Sequence, residues 1–135
     1  IFFEMYPTVK DYIDNQHRVL DTEGQVKTPV GKIYRYIEDP QRYNRAAGKR
    51  FGLNFIIQGF ESELVKNASI AIYEKYRGTD LKIILNIHDE LVFRCKSTNA
   101  TKYVADIKEI MENPKWYPFK VNPRVNPIIS DHWVK

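Results

Sequence analysis

Cysteine is nearly absent from this chain: Cys95 stands alone among 135 residues. A lone thiol excludes an internal disulfide framework and fits a reducing compartment. On a strand, such a cysteine serves packing. No apolar run reaches the roughly 20 residues that a membrane-spanning helix needs, and no basic-then-apolar leader is present, so no membrane partner is expected. There is no internal repeat, no low-complexity tract and no glycine-rich loop of the kind that cradles phosphates. The chain opens on Ile1 rather than Met, which fits a processed product or an excerpt of something longer. What is present suits a packed domain, or part of one: 43% of residues are hydrophobic and 13% aromatic. The net charge of +4 is compatible with nucleic acid without requiring it.

The sequence is organised around residues 83–93, Ile-Ile-Leu-Asn-Ile-His-Asp-Glu-Leu-Val-Phe. An apolar run enters the polar tip His88-Asp89-Glu90 and a second apolar run leaves it. Each flank is short and rich in branched and aromatic residues, so two antiparallel strands are expected over 81–95, with the tip at their junction. A carboxylate fixed there suits a hard cation such as Mg²⁺, which takes oxygen ligands. The same three residues also suit an exposed polar turn with no further role.

A second stretch carries polar side chains at helical spacing. Arg50, Asn54 and Gln58 recur every four residues and fall on one helix face, flanked by Leu53, Ile56, Ile57, Phe60 and Leu64 at the spacing of a buried face. Two readings stand for the amides: bonds to nearby backbone, which would satisfy them if buried, or a polar ligand. Arg, Asn and Gln are the donors that reach acceptors in a nucleic-acid groove. The helix is expected from about Gln41 to about Tyr76, with a bend near Gly48 or Gly52. Its first part holds Arg42, Arg45, Lys49 and Arg50, four cations in nine residues with no acid among them. This basic face leads into the Arg50 line and points to DNA. Further along, Leu64, Ala68, Ala71, Ile72 and Tyr76 read as core.

The remaining elements are simpler. Residues 6–23 read as a helix that begins at Pro7 and ends at Gly24, with Val9, Tyr12, Ile13 and Leu20 inward and His17 at the surface. Strands are expected at 25–28 and 33–37 around a Pro29-Val30-Gly31 turn. A helix capped by Thr98 or Asn99 runs to about Glu112, with Tyr103, Ile107, Ile110 and Met111 inward, and Asn113-Pro114 stops it. Residues 119–129 read as a last strand region interrupted by Pro123 and Pro127. The fold class is α+β: a small antiparallel sheet with helices mainly on one face, as a single unit over 1–135.

Several of these segments together resemble family A DNA polymerases, the bacterial DNA polymerase I type. Ile87-His88-Asp89-Glu90-Leu91-Val92 resembles the third signature motif of that family. The run from Arg50 to Gly59 is similar to its helix of the form Arg-x-x-x-Asn-x-x-x-Gln-Gly. Phe2-Phe3-Glu4-x-Tyr6-Pro7 resembles the helix start beyond the fingers. The run Gly24-Gln25-Val26-Lys27-Thr28-Pro29-Val30-Gly31-Lys32 is similar to the Gly-x-Val-x-Thr-x-x-Gly-Arg hairpin. Asp131-His132-Trp133 sits where family chains end on Asn-Trp or Asp-Trp. The motifs come in the family's order and cover nearly the whole chain. The run Phe60-Glu61-Ser62-Glu63 departs from the small-small-acid run usual in bacterial members and suggests a divergent, phage or organellar type.

The resemblance implies the C-terminal part of a polymerase palm, at work in the cytoplasm of a bacterium or phage-infected host. It implies template-directed nucleotidyl transfer from deoxynucleoside triphosphates to a primer 3′-hydroxyl, with two Mg²⁺ ions. By carry-over, Asp89 is a metal-binding carboxylate and Glu90 its catalytic neighbour. His88, Arg50, Asn54 and Gln58 contact primer-template DNA, with Arg42, Arg45 and Lys49 as basic support. The family's other catalytic aspartate, in an Asp-Tyr-Ser or Asp-Phe-Ser segment, does not occur in residues 1–135, nor does its fingers helix. The chain alone is therefore expected to be inactive, and the rest of the enzyme, in cis or as a second chain, is an expected partner. The main rival reading is a non-catalytic DNA-binding polymerase remnant. A nuclease using Asp89 and Glu90 is a distant third.

Overall fold

The computed structural model describes residues 1–36 and 45–134; Arg45 is described for its backbone only. Two compact units make up the chain, Ile1–Phe60 and Glu61–Lys135.

In the first unit, α1 (Phe2–Met5) is a single turn and α2 (Pro7–Glu23) follows at once. Pro7 occupies the first turn of α2, where its missing N–H costs nothing. Gly24 ends the helix in the left-handed conformation, φ 66°, and its N–H donates to the Leu20 carbonyl at 3.0 Å. The inward stripe expected for α2 is only partly covered. Leu20 is buried, Ile13 half-buried, and Val9 and Tyr12 stay exposed. His17 departs from its expected surface position: it is half-buried, and its Nε2 is shut away without a hydrogen-bond partner among the described residues.

The chain then forms the hairpin β1 (Gln25–Lys27) and β2 (Ile33–Arg35). Thr28 braces its turn. Its N–H donates to the Lys32 carbonyl at 2.8 Å, and its hydroxyl accepts from the Lys32 N–H at 3.0 Å. The long helix α3 (Arg45–Tyr76) supplies Ile56, which closes a small core with Leu20 and Val26, lined by Val19, Tyr34 and Tyr36. Gly48 and Gly52 turn out to be spacers for this packing. A Cβ at Gly48 would fall 1.9 Å from the Tyr36 ring, and one at Gly52 would fall 3.0 Å from Leu20. The helix runs unbroken through both positions. The expected helix start near Gln41, and the end of the second strand at residue 37, lie outside the described residues.

In the second unit, α3 buries Val65, Ala68 and Ile72, the i, i+3, i+7 pattern of a core stripe. Ala71, expected inward, is exposed, and Val65, not among the residues expected inward, is buried. The hairpin β3 (Lys82–Ile87) and β4 (Glu90–Arg94) comes next, then a 3₁₀ turn (Ser97–Asn99) and α4 (Ala100–Glu112). Ile72, Leu81, Tyr103 and Ile107 form the core, and Leu91, Phe93 and Cys95 pack against it, so helices cover one face of the hairpin. Burial pushes the Cys95 thiol upward in pKa, in keeping with a packing role.

Asp80 ties the base of this hairpin to the start of α4. Its carboxylate accepts from the Lys96 N–H at 2.7 Å, the Tyr103 hydroxyl at 2.7 Å and the Asn99 amide at 3.1 Å. Asn99 precedes α4 as expected, but its side chain serves Asp80 and makes no cap bond. The Lys96 N–H, then the Tyr103 hydroxyl, hold the Asp80 carboxyl down at about 2, below its ordinary 3.8. A carboxyl with a depressed folded pKa stabilises the fold above its unfolded pKa and loses that contribution as pH falls through the folded value. Stability measured by denaturant titration is therefore expected to decline between about pH 4 and pH 2. Asp80→Asn should lower stability at neutral pH and flatten that decline. A variant whose pH profile runs parallel to the parent's would remove Asp80 from this role.

Two corrections follow for the sheet. The strands form two separate two-stranded antiparallel sheets, β1–β2 and β3–β4, each closed by its own tight turn. Residues 119–129 form no strand. Pro123 and Pro127 have no N–H to donate to a ladder, and Val121 and Ile128 stand 80% and 73% exposed. No helix among the described residues is long and apolar enough to cross a membrane.

Candidate functional site

The second unit builds its candidate site on the β3–β4 hairpin. Ile87 pairs with Glu90, so the loop is the two residues His88 and Asp89, and Glu90 already belongs to β4. The shortest hairpin loops need positive φ at their central positions to match strand twist. His88 supplies it with φ 55°, the only non-glycine residue among those described with positive φ. Histidine is among the few residues that tolerate this region. The register slips between Ile83 and Leu85, leaving a bulge at Ile84. Bulges increase local twist and re-aim side chains. Leu91, next to the tip, and Phe93, further down β4, pack against the core. The tip itself is open: His88, Asp89 and Glu90 are all exposed.

The Asp89 carboxylate accepts no hydrogen bond from a described residue. Glu90 is engaged: the Trp133 indole N–H donates to its Oε1 at 3.3 Å. Asp89 and Glu90 are hard oxygen donors of the type Mg²⁺ takes. They fit part of a cation site only, since no group of three metal-binding side chains occurs among the described residues.

The first unit presents a different surface. Arg50, Asn54 and Gln58 lie on α3 and all three are exposed. That removes the reading in which Asn54 and Gln58 are buried amides satisfied by backbone. Ile57, expected inward, is 58% exposed beside them, whereas Ile56 is buried at 3%. Lys49 is half-buried and its ammonium lies 2.6 Å from the Asp21 carboxylate on α2, so its charge is shared inside the unit. Arg42 lies outside the described residues, as does the side chain of Arg45. Within its own unit each group holds together: the hairpin brings His88, Asp89 and Glu90 to one tip, and the helix aligns Arg50, Asn54 and Gln58.

The contact that sequence reasoning missed is Trp133 on Glu90. The sequence marks Asp131-His132-Trp133 as a family chain ending, but a hydrogen bond across 43 positions leaves no local trace. Asp80 was missed for the same reason, since its three partners lie 16, 19 and 23 positions downstream.

Comparison with known proteins agrees with the motifs. The family model for DNA polymerase family A matches residues 1–135. DNA polymerase I of Caldicellulosiruptor bescii is 35% identical over 117 residues, covering 83% of this chain and 14% of the relative. DNA polymerase I of Helicobacter pylori is 27% identical over 135 residues, covering 98% of this chain and 15% of the relative. DNA polymerase theta of Caenorhabditis elegans is 28% identical over 132 residues, covering 98% and 8%. Among solved structures, the POL domain of Pol1 from M. smegmatis, in complex with DNA primer-template and dNTP, superposes with a TM-score of 0.78 at 28% identity. It covers 90% of this chain and 22% of that one. The chain thus spans about a sixth of the length of the bacterial relatives it matches. With the family model matching from end to end, the chain belongs to DNA polymerase family A.

Proposed function

We propose that this chain is the C-terminal part of the palm of a DNA-directed DNA polymerase. The observation that carries the reading is the Asp89 carboxylate, exposed in the two-residue loop of a core-anchored hairpin. Rigid mounting of this kind suits a residue that must meet a reacting group in fixed geometry. Asp89 binds a divalent cation, with Glu90 beside it. Bound there, Mg²⁺ supplies charge stabilisation for the attacking and leaving oxygens of nucleotidyl transfer. His88, held at positive φ, directs its imidazole to the primer terminus.

The part of α3 that lies in the first unit binds primer-template DNA. Arg50, Asn54 and Gln58 present donors to the minor-groove edge, where every correct pair offers a purine N3 and a pyrimidine O2 acceptor, so contacts to those two atoms check pair shape without choosing a sequence. Arg42 and Arg45 add positive charge for the phosphates, and Lys49, paired with Asp21, adds less than its sequence position suggests. The M. smegmatis complex, solved with primer-template and dNTP, supports DNA and deoxynucleoside triphosphates as partners.

In the polymerase that carries this segment, Gln58→Ala is expected to weaken primer-template binding about tenfold, the 1–3 kcal/mol range of a groove contact, alike across sequences. Arg50→Ala is expected to weaken it similarly and to lower the salt slope by about 1 if its guanidinium also meets a phosphate. Fluorescence anisotropy at several salt concentrations measures both. Parent-like affinity in both variants would take the DNA contact away from this helix face.

A further inference from the structure

The segment after α4 is extended but not loose. Its Val125 N–H donates to the buried Glu112 carboxylate at 2.8 Å, and the Asn122 amide donates to Asn113 Oδ1 at 2.6 Å. Proline at 123 and 127 restricts the backbone beyond those ties. The segment returns to the hairpin tip, where the Trp133 indole N–H meets Glu90 Oε1 at 3.3 Å. An indole N–H can only donate. It therefore engages one carboxylate oxygen and does not itself compete for a cation.

We propose that Trp133 is a positioning residue for the polymerase site: its indole N–H orients the Glu90 carboxylate beside Asp89 and so raises the affinity of the tip for a divalent cation. The inference rests on the reading of Asp89 as a cation-binding residue. The physical argument is general. Groups that hydrogen-bond a ligating carboxylate fix its orientation, and their loss typically lowers metal affinity by about 10–100-fold. Without the N–H, an exposed glutamate samples several rotamers and must lose that freedom on binding. The C-terminal segment thereby acts as a strap that ties the end of α4 to the tip.

The test uses the complete polymerase on a primer-template ending in a dideoxynucleotide, with Mn²⁺ affinity read by electron paramagnetic resonance in the absence of turnover. Trp133→Phe keeps an aromatic ring and loses the donor. It is expected to weaken Mn²⁺ binding about tenfold, and to raise by a similar factor the Mg²⁺ concentration giving half-maximal extension, with primer-template affinity unchanged. Trp133→His, which keeps a ring N–H, should recover part of the loss. Adding Trp133→Phe to Glu90→Gln should cost little beyond Glu90→Gln alone, because the two act through one contact. Parent-like Mn²⁺ binding in Trp133→Phe would overturn the proposal, as would fully additive losses or an equal loss in the Phe and His variants. An Asp89→Asn variant with parent-like Mn²⁺ binding would instead sink the reading of the site itself, whatever Trp133 does.

Discussion

Replacing Asp89 by asparagine in the polymerase that carries this segment is expected to cut primer extension about 10³-fold, roughly 4 kcal/mol of transition-state stabilisation. Primer-template affinity is expected to stay at the parent level. Asparagine preserves the shape of the side chain and suits a tight turn, so the hairpin should fold unchanged; what goes is one negative oxygen at the tip. Exposed substitutions of this kind cost little stability, typically within about 0.5 kcal/mol. Single-turnover extension separates the chemical step from binding. A variant that extends primers as the parent does would remove Asp89 from the chemistry and favour the DNA-binding remnant. The same logic sets the control. The 135-residue chain carries Asp89 but no Asp-Tyr-Ser or Asp-Phe-Ser segment, so on its own it is expected to give no extension.

Truncating Ile72 to alanine is expected to destabilise the second unit by about 4 kcal/mol, within the 2–5 kcal/mol seen when a large buried aliphatic side chain is cut back. Ile72 is 1% exposed and packs in one core with Leu81, Tyr103 and Ile107. Its removal leaves a hole lined by groups fixed on α3, on α4 and at Leu81 just before β3, so little collapse can refill it. Ile72→Val should cost only about 1 kcal/mol. Because Leu91 and Phe93 rest on the same core, the alanine variant should also lose extension activity at lower temperature than the parent. Denaturant midpoints at constant slope measure the stability change. A loss below about 1 kcal/mol for alanine would mean that this core is looser than its packing indicates.

Much of the fold was legible because its signals are local. Pro7 and Gly24 punctuate α2 through a missing N–H and a positive φ, both properties of single residues. The hairpin at 83–93 was legible because two short β-rich runs flank a polar tip, and the structure shortens that tip by one residue, to His88-Asp89. The Arg50-Asn54-Gln58 line needed only the helical repeat. Where local patterns misled, long-range packing or a missing donor decided. Ile57 and Ala71 have the right spacing for a core, but the neighbours that would cover them are not there among the described residues, so both are exposed. Residues 119–129 look strand-like by composition, yet two prolines have no N–H to give to a ladder and no strand among the described residues pairs with them.

The glycines of α3 show the same division. A glycine within a helical pattern weakens the helix, and a bend was the natural expectation. The structure uses Gly48 and Gly52 to let Tyr36 and Leu20 approach the helix, at distances a methyl group would not permit.

The sequence by itself determined most of the elements and the family, and it proposed the residues of both candidate surfaces, because helix periodicity, turn chemistry and motif order are written along the chain. Only the tertiary structure decided what each polar group meets: Asp80 with Lys96, Asn99 and Tyr103, Lys49 with Asp21, and Glu90 with Trp133. Those partners lie 16 to 43 positions apart in the chain. Hydrogen bonds act over about 3 Å of space, so no spacing rule along the sequence encodes them, and folding alone brings them together.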